Sequence, residues 1–160
     1  MRFFLILFLA LCPLLAHAAD LAVFDERTRV LPLGEHMAVF EDVRGDKTID
    51  DVTSSALQGS FRPHDKAVLN AGYSRSAFWL RIDLQYRPRG MASGNPQSWL
   101  LELAYPPLDH LELYEEGGDG RFHLSHRTGD ALPFSSREIR QNNYPVSYTH
   151  LRAHETGRNL

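Results

Sequence analysis

Gly72-Tyr-Ser-Arg-Ser-Ala-Phe-Trp-Leu-Arg-Ile-Asp-Leu-Gln-Tyr86 carries the clearest periodic signal in the chain. Phe78, Leu80, Ile82, Leu84 and Tyr86 alternate with Trp79, Arg81, Asp83 and Gln85. Successive side chains of a strand point to opposite faces, so this is the pattern of a half-buried β-strand. It predicts one central strand with the Phe78/Leu80/Ile82 side turned to the core.

The flanking sequence supplies partners for that strand. Leu21–Phe24 is a short apolar run fit for a sheet edge, and Pro32 confines Val30–Leu33 to an edge or a connection. His36–Glu41 alternates, with Met37, Val39 and Glu41 opposite Ala38 and Phe40. Thr48–Ser55 reads as a short helix. Thr48 is its cap, Asp50 and Asp51 sit at the positive end of its dipole, Ile49 and Val52 share a face, and Gly59 ends it.

Beyond the central strand, Arg87–Gln97 holds two prolines and two glycines and reads as a long hairpin connection. Trp99–Ala104 is a strand with Trp99, Leu101 and Leu103 on one side; Tyr105–Asp109, with two prolines, breaks it. His110–Tyr114 and Phe122–Arg127 read as a hairpin around Gly117–Gly120, with Leu111, Leu113, Phe122 and Leu124 facing inward. Leu132–Arg137 extends toward Ile139. Short strands joined by Gly, Pro and Asp turns predict an all-β sandwich with one short helix.

The bulk numbers set limits. The 160 residues suit one domain, and 43% hydrophobic residues are enough for a packed core. A net charge of −3 offers no basic face for nucleic acid. Cys12, the one cysteine, lies in the leading apolar run, so the body has no disulfide framework and no thiolate metal site.

Arg2, the apolar run from Phe3 to Leu15 and the small residues of Ala16-His-Ala18 form a secretory signal peptide over residues 1–18. The run is shorter than the ~20 residues of a spanning helix. Residues 19–29 are then a lead-in, and 30–145 the domain.

At the other end, Val146-Ser-Tyr-Thr-His-Leu-Arg-Ala-His-Glu-Thr156 resembles the translation of a transposase adapter used for sequencing libraries. The expectation is that 146–160 is adapter-derived, that the chain is an N-terminal fragment, and that its final strand breaks off at Pro145. His150 and His154, at helical i, i+4 spacing, are accordingly set aside as metal ligands.

Three blocks carry a family resemblance: Ser76-Ala-Phe-Trp-Leu-Arg81, Trp99–Tyr114 and Thr128-Gly-Asp-Ala-Leu-Pro-Phe-Ser-Ser-Arg137. With Phe40-Glu-Asp42 and the Thr48 helix, they resemble the periplasmic type 2 extracellular domain of bacterial seven-transmembrane receptors with diverse intracellular signalling modules. The resemblance implies a jelly-roll-like sandwich akin to carbohydrate-binding modules. It implies a sensory function for a small molecule or carbohydrate on the periplasmic side of the inner membrane. It also implies membrane helices after the domain and a cytoplasmic diguanylate cyclase or histidine kinase as output, and it allows a homodimer in the full-length receptor.

Four residues are candidate ligand contacts. Trp79 and Arg81, on the face opposite Phe78, could form a sugar platform, with an aromatic face for C–H groups and a guanidinium for hydroxyls or a carboxylate. Packing under a loop or the short helix is the commoner fate of a tryptophan, with Arg81 paired to Asp83 or another strand's carboxylate. Tyr105 could line a rim beside Pro106 and Asp109, or belong to a bend that holds two sheets in register. Arg137 could reach an anionic ligand or form a structural ion pair.

His123 and His126 are three apart in a strand and are expected on opposite faces, which counts against a shared metal. The adjacent acidic pairs Asp50/Asp51 and Glu115/Glu116 are not the facing carboxylates of glycoside hydrolysis. No nucleophile elbow, phosphate loop or zinc signature is present. No cofactor and no catalytic residue is expected, and a non-enzymatic module fits better than an enzyme. The alternatives are a secreted carbohydrate-binding module of an enzyme and a stand-alone periplasmic structural protein.

Overall fold

The computed structural model describes residues 21–89, 99–139 and 141–148. The signal peptide, most of the hairpin connection, His150 and His154 lie outside the described residues. In chain order the elements are β1 (Ala22–Phe24), β2 (Met37–Asp42), α1 (Ile49–Thr53), α2 (Ser55–Gln58), β3 (Arg62–Pro63) and β4 (Ala77–Ile82). There follow β5 (Leu84–Tyr86), β6 (Trp99–Leu103), β7 (Leu111–Glu116), β8 (Phe122–Thr128) and β9 (Tyr144–Tyr148). The strands pair as β3–β2–β4, β1–β5, β6–β9 and β7–β8. The chain is all-β, of the sandwich class, with two short helices.

The helix expected over Thr48–Ser55 forms as two single-turn pieces. Thr48 caps the first: its hydroxyl accepts the Asp51 N–H, and its own N–H donates to the Asp51 carboxylate at 2.8 Å. The Thr48 backbone N–H, and then the Thr48 hydroxyl donating to the same carboxylate oxygen at 2.8 Å, hold the Asp51 carboxyl below the ordinary carboxylate value. Ser54, at ψ 150°, then steps out of the helix, and α2 restarts beyond it.

The central strand is also divided. Its first part, β4, pairs antiparallel with β2 over six residues, placing Trp79 opposite Phe40 and Arg81 opposite Ala38. The second part, β5, pairs parallel with β1. Asp83 is the joint, and its carbonyl accepts the Ala22 N–H at 2.9 Å.

β4 is packed on both faces: Met37, 6% exposed, lies opposite Ile82 on the expected core side, and a cluster lies on the other. Ala38 (1% exposed), Val52 and Phe61 form a buried cluster, and Phe40, Ile49, Leu57 and Trp79 pack against it. The helices thus sit on the Trp79/Arg81 side, where small Ala38 leaves them room. On the opposite side Phe78 and Ile82 are half-buried, while Leu80 is 38% exposed. A second cluster joins the ends: Phe24 meets Trp99 edge-on at 4.9 Å and Tyr86 at 5.6 Å.

In the β7–β8 hairpin a bulge changes the phase. Leu113 faces His126 but Tyr114 faces Leu124, so Ser125 is the extra residue. Past the bulge, β8 side chains have changed sides. Phe122 and Leu124, expected inward, are instead 39% and 42% exposed. The same slip puts His123 and His126 on one face, against the expected opposition.

The last strand, expected to stop at Pro145, continues to Tyr148 and pairs with all of β6. Val146, opposite Leu101, is buried there, which gives the extension its apolar anchor.

Two loops are stitched together beside it. Asp130 N–H donates to the Leu108 carbonyl at 2.7 Å, and Ala131 N–H to that of Asp109 at 3.2 Å. Gly129, at φ 146°, permits this approach; a Cβ there would stand 2.1 Å from the Asp109 carbonyl oxygen. Gly129→Ala is therefore expected to lose more than about 1 kcal/mol in urea unfolding. Gly118→Ala, with nothing within 4 Å, is expected to stay within about 0.5 kcal/mol of the parent. Equal effects would show that the loops do not meet.

Candidate functional site

Trp79 and Arg81 reach the same side of β4 because they are two apart in a strand. The Arg81 guanidinium lies over the Phe61 ring, 5.1 Å from its centroid. Trp79 meets Tyr114 of β7 at 6.0 Å between ring centroids. Both side chains are half-buried, and Trp79 Nε1 and Arg81 Nε are buried without a hydrogen-bond partner among the described residues. Neither Asp83 nor any other described carboxylate pairs with Arg81, so a ring face takes the place of the expected ion pair.

Arg137 stands at a different place, on the segment between β8 and β9. A 3-10 turn over Phe134–Ser136 precedes it and folds the Phe134 ring back onto its guanidinium, 4.9 Å away. Tyr144, at the start of β9, covers the guanidinium from a second ring at 4.8 Å. One terminal nitrogen donates to the carbonyls of Gln141 at 2.8 Å and Asn142 at 3.0 Å. The other lies 3.7 Å from an Asp130 carboxylate oxygen, while Nε is buried with no partner among the described residues. The side chain is only 9% exposed.

Tyr144 ties this corner to the bend after β6. Its hydroxyl is within hydrogen-bond distance of the carbonyls of Pro106 at 2.6 Å and Leu108 at 3.0 Å. Burial pushes the Tyr144 phenol up from its usual value, against the opposing pull of the Arg137 charge. Tyr105, one residue before that bend's first contact, is 50% exposed. The bend is held through its backbone carbonyls.

A cavity of about 40 Å³ opens at the Arg137 corner, between β8 and the segment leading into β9. Its lining includes His126, Arg127, Arg137, Glu138, Asn143 and Tyr144. Of the four expected ligand contacts, only Arg137 lines it; Trp79, Arg81 and Tyr105 do not. A wider opening of about 300 Å³ is lined by Pro32, Glu35 and Ala67, with Glu35 as the ionisable group among its described lining residues.

The charges around the smaller cavity are unevenly matched. The Arg127 Nε donates to Glu112 at 2.8 Å, and His126 Nε2 lies 3.1 Å from Glu138. His123 turns the other way along the strand, to Asp119 at 3.2 Å. The Arg121 backbone N–H, and then His123, hold that carboxyl low. No group of three or more His, Cys, Asp or Glu able to hold a metal occurs among the described residues.

Sequence reasoning missed Tyr144, Phe134 and Asn143 as part of this corner. Only the placement of two aromatics around Arg137 could have suggested them. The shared face of His123 and His126 depends on the Ser125 bulge, for which the alternation of β8 gives no sign.

A family model described as 7TMR-DISM extracellular 2 matches residues 34–158. The chain belongs to that family. This makes it a sensory extracellular domain of a membrane receptor. Comparison with curated proteins and with solved structures gives no match.

Tyr144→Phe removes the phenol hydroxyl and takes its donor from the Pro106 carbonyl, while the Leu108 carbonyl keeps the Asp130 N–H. The expected loss is about 1 kcal/mol in chemical unfolding. An unchanged midpoint would show that the bend is held without it.

Proposed function

We propose that the domain works in the periplasm, where it binds a small molecule or carbohydrate and controls a cytoplasmic diguanylate cyclase or histidine kinase. The match to a receptor extracellular family over residues 34–158 is the observation that carries this reading. The signal-peptide pattern of residues 1–18 supports export to the outer side of the inner membrane. No helix among the described residues is long and apolar enough to cross a membrane. The receptor reading, from the family resemblance, places the membrane-spanning part in sequence after the domain.

The proposed mechanism is a shift between two states. A ligand that binds one arrangement of the sandwich better than another biases whatever is joined to it. That bias cannot exceed the ligand's difference in affinity between the two arrangements. The segment from Gly129 to β9 suits the task. It carries an ionic contact to β8 and hydrogen bonds to the bend after β6 and to β6 itself, so a change there moves several strands together. In this reading the domain catalyses nothing and needs no cofactor. Arg137 is its best-placed ligand contact, while Trp79 and Arg81 keep the sheet and helices together.

Reading the genomic locus through codons 146–160 and beyond tests the proposal. The expected result is a series of seven apolar segments of about 20 residues each, followed by a signalling domain. The same read shows whether codons 146–160 belong to the locus. A stop codon directly after the domain, or a hydrolase with no apolar segments, would contradict the receptor reading. Amino-terminal sequencing of the exported protein should begin at Ala19 or Asp20.

A further inference from the structure

We infer that the Arg137 corner is a carboxylate-binding subsite, in which the guanidinium and His126 receive one small planar anionic group. The inference rests on the sensory reading and names the chemistry that the sensor recognises.

Three observations converge on it. The first is an uncompensated charge. Arg137 is nine-tenths buried, yet its nearest carboxylate, on Asp130, stands 3.7 Å off and is itself largely exposed. Two carbonyls and two ring faces supply only partial charges. A guanidinium removed from water calls for a full counter-charge or a complete set of acceptors. Here Nε has neither among the described residues.

The second is the composition of the lining. Among the described lining residues, Arg127, Arg137 and His126 set up to three positive charges against Glu138, while the Asn143 amide already donates to Glu102. Glu112 neutralises Arg127 from outside the cavity. An incoming carboxylate would compete with Glu138 for His126 and meet Arg137 at the same time. Guanidinium groups favour such planar acceptors because the fork of N–H donors matches their geometry.

The third is size. About 40 Å³ is room on the order of three waters, enough for a carboxylate group. Pockets that enclose whole ligands begin near roughly 300 Å³, so a complete sugar ring is excluded. The occupant is a free small carboxylate, or the carboxylate end of a larger molecule whose remainder stays outside.

Because the site would join β8 to the segment entering β9, filling it changes a contact between elements. A carboxylate that displaces Glu138 releases one tether, His126–Glu138, and replaces it with another at Arg137. That is a differential contact of the kind a two-state sensor requires.

The test is thermal unfolding of the purified chain with sodium formate or sodium glucuronate, against sodium chloride at equal ionic strength. Formate at tenfold excess over its dissociation constant should raise the midpoint by roughly 4 °C. Glucuronate acting as well would identify the end of a larger ligand. Formate acting alone would identify a free small anion; either supports the inference. Arg137→Gln should abolish the shift. Since that change also disturbs the aromatic clamp, His126→Gln is the second variant, and at pH 6 it should weaken formate binding at least threefold. Equal shifts from chloride and formate, or an undiminished formate shift in His126→Gln, would overturn the subsite. Either of those failures leaves the receptor reading standing, because the locus tests that reading independently.

Discussion

The packing of α1, α2 and Phe61 onto the Ala38/Phe40/Trp79 side of the β2–β4 ladder is the constraint on which the other elements depend. A two-strand pair is marginal in water unless an apolar face is covered. Neither single-turn helix could persist alone, because nucleating a helix costs more than one turn returns. Each therefore supplies what the other lacks. Ala38, at 1% exposure, is the pivot: its small side chain lets Val52 and Phe61 approach the sheet. Trp79 extends the same surface to Tyr114 of β7, linking the first half of the chain to the second.

Much of this order was legible in the residues. Thr48 with Asp51 three positions on is a cap with a local mechanism, and it forms as the spacing requires. The Tyr105–Asp109 bend follows from two prolines that cannot donate to a ladder. The alternation of Trp99, Leu101 and Leu103 likewise matches their half-buried side. What was not legible depended on contacts distant in sequence. Alternation in β4 shows that two faces exist, and both carry large apolar groups, but only the docking of α1 and α2 shows that the Trp79 face is covered as well. The Ser125 bulge reverses the sides of Phe122 and Leu124 through one unpaired residue, and no feature of composition marks it. The Arg137 corner assembles from Phe134, Arg137 and Tyr144 together with carbonyls of Pro106 and Leu108, so its geometry exists only once three segments have met.

Those segments also explain how a sandwich could report on a ligand. Gly129 brings the turn after β8 against the bend after β6, Tyr144 grips that bend, and Arg137 lies beneath Tyr144. A change at the guanidinium is thereby coupled to β6, β8 and β9 through direct contacts. The Trp79/Arg81 face, by contrast, is occupied by the chain's own helices and Phe61. Its aromatic and cationic groups resemble a binding platform in sequence and act as sheet-to-helix packing in the fold. One strand thus supplies scaffold packing, and the connecting segment is the part that the proposed function makes responsive.

The most direct test of this account compares Trp79→Ala with Leu80→Ala in urea unfolding. The two residues are neighbours on opposite faces of β4, so the pair asks which face is core. Truncating Trp79 should cost about 3 kcal/mol, and truncating Leu80, already 38% exposed, no more than about 1 kcal/mol. The reverse order, with Leu80 the costlier residue, would contradict the account by placing the core on the side away from α1 and α2.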